Sequence, residues 1–186
     1  EILVDVASDG MRANNIIRNV RNTIKRGDAI RQLISVNDLV TSVAHMVRAD
    51  AMVHSCEVKV SLANNLPAVV GDPTQIQQVL VNLVGNAFEA MRDKPANKRK
   101  VELTTEKNGD ETVCVAVRDY GVGLSDATRA RLFEQFFTTK KEGLGMGLAI
   151  VRSIIEAHGG SIDADNANGG GARFHFTLPI SKEISK

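Results

Sequence analysis

Two spacings of apolar residues organise the chain: every three or four positions in some stretches, every second position in others. Ile2, Val6, Ile16, Ile17, Val20 and Ile24 keep the helical spacing, with Met11 less regular, and Arg12, Arg18, Arg21, Lys25 and Arg26 make the opposite face basic. This predicts a helix over residues 2–26, weakened by Gly10 and stopped by Gly27. Such a helix cannot cover its own apolar stripe and calls for a partner helix. RQLISV is a short strand candidate, and Asn37 or Asp38 is positioned to cap a helix running to about His54. EVKVSL alternates, with Val58, Val60 and Leu62 on one face. AVVGD is a brief strand. Asp72-Pro73 then opens the strongest helix of the chain, about 73–92, with a capping side chain and a first-turn proline. KVELTTE and ETVCVAVRD read as strands joined by an Asn108-Gly109 turn. A short helix starts at Asp126, and another ends at His158 before Gly159-Gly160. SIDADN and ARFHFTLP close the chain as two strands around the glycine turn at 169–171. The pattern predicts an α+β fold: a mixed, mostly antiparallel sheet with three helices on one face, preceded by one long helix.

Composition narrows the functions this fold can serve. The 186 residues are 43% apolar, enough for a sizeable core, and the net charge of +1 argues against general nucleic-acid or membrane-surface electrostatics. Cys56 and Cys114 lack metal-ligand spacing, so a reduced, cytoplasmic setting is the simpler reading. No apolar run approaches the ~20 residues of a membrane span, and no signal peptide opens the chain. The first residues, EILVDVASDG, read as the interior of a longer protein.

Three clusters carry candidate chemistry. On the helix at 73–92, Ile76, Val79, Leu80, Leu83 and Ala87 form the core face, and Asn82, Asn86 and Glu89 form a polar stripe beside it. Asparagine is a poor interior helix residue, and amide plus carboxylate oxygens suit a hard cation such as Mg²⁺. A solvated polar face is the alternative, disfavoured by Val81, Val84 and Phe88 on either side. In VRDYGVGLS, Asp119 ends a strand and Gly121 and Gly123 follow it. A carboxylate there can accept a hydrogen bond from an exocyclic amine, while the glycines let the loop press on a flat ring; taken alone, Asp-x-Gly is an ordinary turn. Finally, TTKKEGLGMGLAIV places Gly143, Gly145 and Gly147 before a helix. Neither the dinucleotide fingerprint nor the P-loop fits this spacing. A glycine loop closing on polyphosphate, with helix-start N–H groups as donors and Lys140 and Lys141 adding charge, remains. Phe133, Phe136 and Phe137 lie just upstream and would anchor such a lid.

The order of these motifs is more specific than any one of them. NLVGNAFEAM, DYGVG, LFEQFFTTK and GLGMG resemble the asparagine, first glycine, phenylalanine and second glycine boxes of sensor histidine kinases. Their ATP-binding domain belongs to the superfamily shared with type II topoisomerases, a heat-shock chaperone and mismatch-repair ATPases. FFTTK and AIVRSIIEAHGG are most similar to the nitrogen-regulation and oxygen-sensing (nitrogen-fixation) branch. The resemblance implies a two-layer ATP-binding sandwich over 29–182. Residues 1–28 would be the second helix of the dimerisation and phosphotransfer hairpin, and 183–186 a tail.

It also implies roles. Asn86 would hold Mg²⁺ against the ATP phosphates, with Asn82 a nearby polar contact and Glu89 facing the phosphates or a metal-bound water. Asp119 would bind the adenine amino group, with Gly121 and Gly123 shaping the pocket. Lys140 would contact phosphate. Thr139, Gly143, Gly145, Gly147 and Leu148 complete the implied ATP-binding set. The reaction would move the γ-phosphoryl of ATP to a histidine for relay to a response-regulator receiver domain, in a homodimer joined through the hairpin helices. The parent protein could be membrane-anchored although this chain has no membrane segment. The departure is the acceptor. His45, His54, His158 and His175 all lie outside the H-E-[LI]-x-x-P pattern and read as structural, so the acceptor is expected upstream of Glu1. Two alternatives stay open: a catalytically silent ATP-binding module, and a serine kinase of the same superfamily. A chaperone-like ATPase is disfavoured by the phenylalanine box and the short lid.

Overall fold

The computed structural model describes residues 31–140 and 144–181. The helix expected over 2–26 and the tail at 183–186 lie outside the described residues, as does Gly143. Five strands form the main sheet in the order β2-β4-β5-β7-β6: β2 Glu57–Ser61, β4 Lys100–Asn108, β5 Thr112–Asp119, β7 Ala172–Pro179 and β6 Ile162–Asn166. All neighbours pair antiparallel except β2 and β4, which run parallel. A parallel pair needs a crossover. Here it runs through β3 (Val69–Gly71) and α3 (Pro73–Ala90). β1 (Gln32–Ile34) pairs separately with β3.

Register separates the two faces of the sheet. Leu103 lies opposite Val117, Val117 opposite Phe174, and Val115 opposite Phe176, and all of these are buried. The helices α1 (Val36–Met46), α3 and α5 (Gly147–Ala157) cover this side, giving the expected mixed sheet with three helices on one face, and the expected short helix at Asp126 is α4 (Asp126–Arg131). The other side is open and charged. One row across it reads Lys59, Glu102, Arg118, Arg173 and Asp165.

α3 forms where expected, for the expected reasons. The Asp72 carboxylate accepts from the N–H groups of Thr74 and Gln75, and Pro73 occupies the first turn. Ile76, Val79, Leu80, Leu83 and Ala87 are buried, so truncating Leu80 or Leu83 to alanine would cost about 2–5 kcal/mol. Val81 is 41% exposed, and the helix is therefore less enclosed than its sequence suggested. Between α1 and β2 the expectation needs correcting. Ser35, not Asn37 or Asp38, is the cap: its hydroxyl accepts from Asp38 N, and the helix begins at Val36. Asn37 instead bonds Ala63 O and Thr105, tying α1 to β4. The single helix to His54 is two, α1 and α2 (Arg48–Val53), broken at buried Val47 without glycine or proline. Val60 is 40% exposed although its register partner Leu103 is buried, because β2 is the edge strand of the sheet.

Candidate functional site

The residues expected to carry chemistry gather around α3. Its start is fixed by His158, whose Nε2 accepts the Asp72 N–H at 3.0 Å while its Nδ1 donates to Ile154 O at 2.7 Å. That pairing requires the neutral ring. His158 is buried with both ring nitrogens engaged, in keeping with a structural role. Along α3, Asn82 and Asn86 are half-buried and Glu89 is exposed, as a stripe at the edge of the core would be. The Lys140 ammonium, from the segment after the phenylalanines, reaches this stripe. It donates to Asn86 Oδ1 at 2.8 Å and forms an ion pair with Glu89. Asn86, Glu89 and Lys140 are thus one cluster. Asn82, a turn earlier, has no hydrogen bond to it among the described residues. Thr139 is exposed beside Lys140.

Asp119 is 2% exposed at the end of β5. Its Oδ1 accepts from Gly121 N at 2.7 Å and from Ala172 N at 3.2 Å. Both bonds fall on one oxygen, which leaves Oδ2 to meet a ligand donor. Burial pushes the carboxyl up from its ordinary value, and the two N–H groups oppose that rise. The glycines beside Asp119 serve the protein more directly than expected. A Cβ on Gly121 would lie 2.6 Å from Ala90 O, so the loop after Asp119 presses on the last residue of α3. Gly123 has φ +78°, and a Cβ there would lie 2.8 Å from Asn166 Oδ1. The Asp119 loop and the Asn86–Glu89 stripe therefore border one groove.

The second glycine pair divides into two roles. Gly145 has φ +65°, and its Cβ would lie 2.5 Å from the Phe136 carbonyl carbon. This glycine is needed for packing. Gly147, the first residue of α5, has nothing within 4 Å of a built Cβ. Among the described residues no side chain caps α5, so its first-turn N–H groups have no side-chain acceptor there, as an anion site would require. The Leu148 side chain packs on the core, which leaves only its main chain to meet a ligand. Among the aromatics, Phe133 packs on the core, Phe137 lies under the Arg131 guanidinium at 4.6 Å, and Phe136 is 72% exposed at φ +65°.

Several residues of the site have no motif to announce them. Ala172 holds Asp119 through its main chain, and a Cβ on Gly171 would lie 2.0 Å from Asp119 O. Asn166 bonds the Leu124 main chain. The three consecutive glycines at 169–171, all with positive φ, were the available signal for this turn. A separate cavity of about 690 Å³, against Cys56, Lys94, Arg99 and Tyr120, contains none of the expected site residues. Arg99 is committed there to the carbonyls of His54, Arg92 and Lys94. Both cysteines are free. Among the described residues no helix is long and apolar enough to cross a membrane, and no three His, Cys, Asp or Glu side chains converge as a metal site.

This geometry has counterparts among known proteins. A family model described as histidine kinase-, DNA gyrase B-, and HSP90-like ATPase matches residues 71–182. The sensor protein FixL of Bradyrhizobium diazoefficiens is 40% identical over 177 residues, covering 95% of this chain and 35% of that protein. The chain thus spans about a third of that relative's length. The structure of full-length ShkA in complex with AMPPNP is similar at a TM-score of 0.76 and 27% identity, over 92% of this chain and 36% of that one. Histidine kinase ThkA in complex with the response regulator protein TrrA gives 0.78 at 28% identity, over 97% of this chain and 51% of that one.

Proposed function

Because the chain belongs to the histidine kinase-, DNA gyrase B-, and HSP90-like ATPase family, we propose that it is the ATP-binding catalytic part of a sensor histidine kinase. In this reading the γ-phosphoryl of ATP passes to a histidine and then to a response-regulator aspartate. The observation that carries it is Asp119, a buried carboxylate whose Oδ1 is fixed by two main-chain N–H groups and whose Oδ2 is left for the adenine amino group. Gly121 and Gly123 keep its loop against α3 and β6. The helix start at Gly147, without a side-chain cap, would supply N–H donors for phosphate together with Gly145 and the Leu148 N–H; Gly143, expected in the same set, lies outside the described residues. Thr139 adds a hydroxyl beside Lys140.

Asn86 and Glu89 offer hard oxygens, and the Lys140 ammonium already selects the space between them as a cation position. Asn86 would hold Mg²⁺ beside the phosphates, and the ion would supply charge neutralisation for the transferring phosphoryl. Lys140 would then be available to the phosphates, Glu89 would face them or a metal-bound water, and Asn82 would add a polar contact. Phosphoryl transfer depends mainly on such positioning.

In this reading the acceptor lies outside this chain, whose four histidines all depart from the acceptor pattern. His158 has both nitrogens engaged, and His54 stacks on Phe88. The reported complex of ThkA with TrrA supports a receiver-domain partner here. A homodimer through hairpin helices and a cytoplasmic location complete the proposal. The test is Mg-ATP titration of this chain, followed by incubation with a supplied histidine-bearing hairpin. Acid-labile, alkali-stable phosphate on the hairpin is expected. Acid-stable phosphate would mean a serine kinase, and binding without any transfer would mean a silent module.

A further inference from the structure

We infer that Asn166 is a positioning residue for the adenine-side loop, acting through Leu124 without touching the nucleotide. The inference rests on the reading of Asp119 as the adenine contact. Asn166 is the last residue of β6, and its register partner on β7 is Ala172, the residue whose N–H holds Asp119 Oδ1. Its side-chain amide reaches back to the loop that leaves Asp119. Oδ1 accepts from Leu124 N at 2.7 Å, and Nδ2 donates to Leu124 O at 2.8 Å. The amide therefore pairs with Leu124 as a neighbouring strand would, in both directions.

The loop from Gly121 to Leu124 is consequently tied at two ends. Gly121 N bonds Asp119 at its entry, and the Asn166 amide bonds Leu124 at its exit. Between them Gly123 adopts φ +78° with no room for a Cβ, because Asn166 Oδ1 would lie 2.8 Å from it. Val122, at the tip, is 81% exposed and anchors nothing. Leu124 itself leans on the core, so the clamp sets where that anchor sits relative to Asp119. A side-chain amide carries its donor and its acceptor on one carbon, spaced to meet the N–H and C=O of a single residue, and from this strand end the asparagine amide meets Leu124 directly. Both clamp bonds are solvent-exposed, so losing them strands no buried polar group and leaves the sheet intact. What is lost is the loop's position.

The experiment is Asn166→Ala in the 186-residue chain, read by ADP and GDP titration and by amide hydrogen exchange. The ADP-over-GDP preference is expected to fall about tenfold, with the loss mainly in ADP, and exchange at Leu124 to accelerate by a similar factor. Gly123→Ala is the second variant. It forces the loop away from an intact Asn166 and is expected to relax the same preference. A parallel loss for both nucleotides, or an unchanged Leu124 amide, would overturn the role. Failure of the underlying adenine reading is distinguishable: the unsubstituted chain would then show no preference for ADP, while Leu124 exchange would still report on the clamp.

Discussion

His158 Nε2 accepts the Asp72 N–H at 3.0 Å, and this bond joins the last turn of α5 to the first residue ahead of α3. The two helices border the same groove, so their relative position is set by a side chain that touches no ligand. His158→Ala should destabilise the domain by about 2–4 kcal/mol, from the lost ring and the unpartnered Asp72 N–H. Chemical denaturation is the measurement, with a lowered midpoint and an unchanged slope expected. Gly71→Ala should mimic it, since the added Cβ would lie 2.8 Å from the His158 ring.

Asn86 carries the metal expectation. In Asn86→Ala the gain in ADP affinity on adding Mg²⁺ should drop about tenfold, while affinity in a chelator should stay near that of the unsubstituted chain. Calorimetric titration with and without Mg²⁺ separates the two. An undiminished Mg²⁺ effect would remove Asn86 from the metal site.

Asp119 gives a prediction with a pH signature. Its folded-state carboxyl lies above the ordinary value of about 3.9, because burial disfavours the charge. A raised acid favours folding in its protonated form. Its contribution to stability is therefore full below the ordinary value and is lost as pH rises through the raised one. In the proposed role the nucleotide would reverse this preference, since the adenine amine bonds more strongly to the ionised acceptor. ADP affinity should accordingly fall as pH drops through the raised value, sooner than an ordinary aspartate would allow. Asp119→Asn should lower ADP affinity about tenfold or more and flatten that dependence. Titrations across the acid range check both points, and equal losses for ADP and GDP would argue against adenine recognition.

Gly145 and Gly147 look alike in the sequence and differ in the structure. Gly145→Ala should disturb the phenylalanine segment, because its Cβ would enter the Phe136–Phe137 peptide and its φ is +65°. Gly147→Ala meets nothing and should leave stability unchanged or raise it by up to about 1 kcal/mol. If the N–H groups at that helix start hold phosphate, the same substitution should still weaken ADP binding. Thermal unfolding and titration, run on both variants, distinguish a packing glycine from a ligand-facing one.

The parts legible in the sequence were those written in side chains. α3 declared itself through its apolar spacing and Asp72-Pro73, and Asp119 through the glycines after it. The parts that were not legible are held by main chain or by competition among similar residues. Ser35 outcompeted Asn37 and Asp38 as a cap because Asn37 is used by Ala63 and Thr105. The break at Val47 has no glycine or proline to mark it. Ala172 acts through an N–H that any residue but proline would supply, and Asn166 resembles one more polar residue at a strand end.

The parallel pairing of β2 and β4 has a mechanical meaning for the groove. α3 is the connection between them, stitched at its head by Asp72 and His158 and running at its tail into the segment that feeds β4. Sliding or tilting it would require the sheet itself to give. The groove therefore has one jaw cast in the frame, bearing Asn86 and Glu89, and any grip on a nucleotide falls to the opposite side, which carries Lys140 and the start of α5.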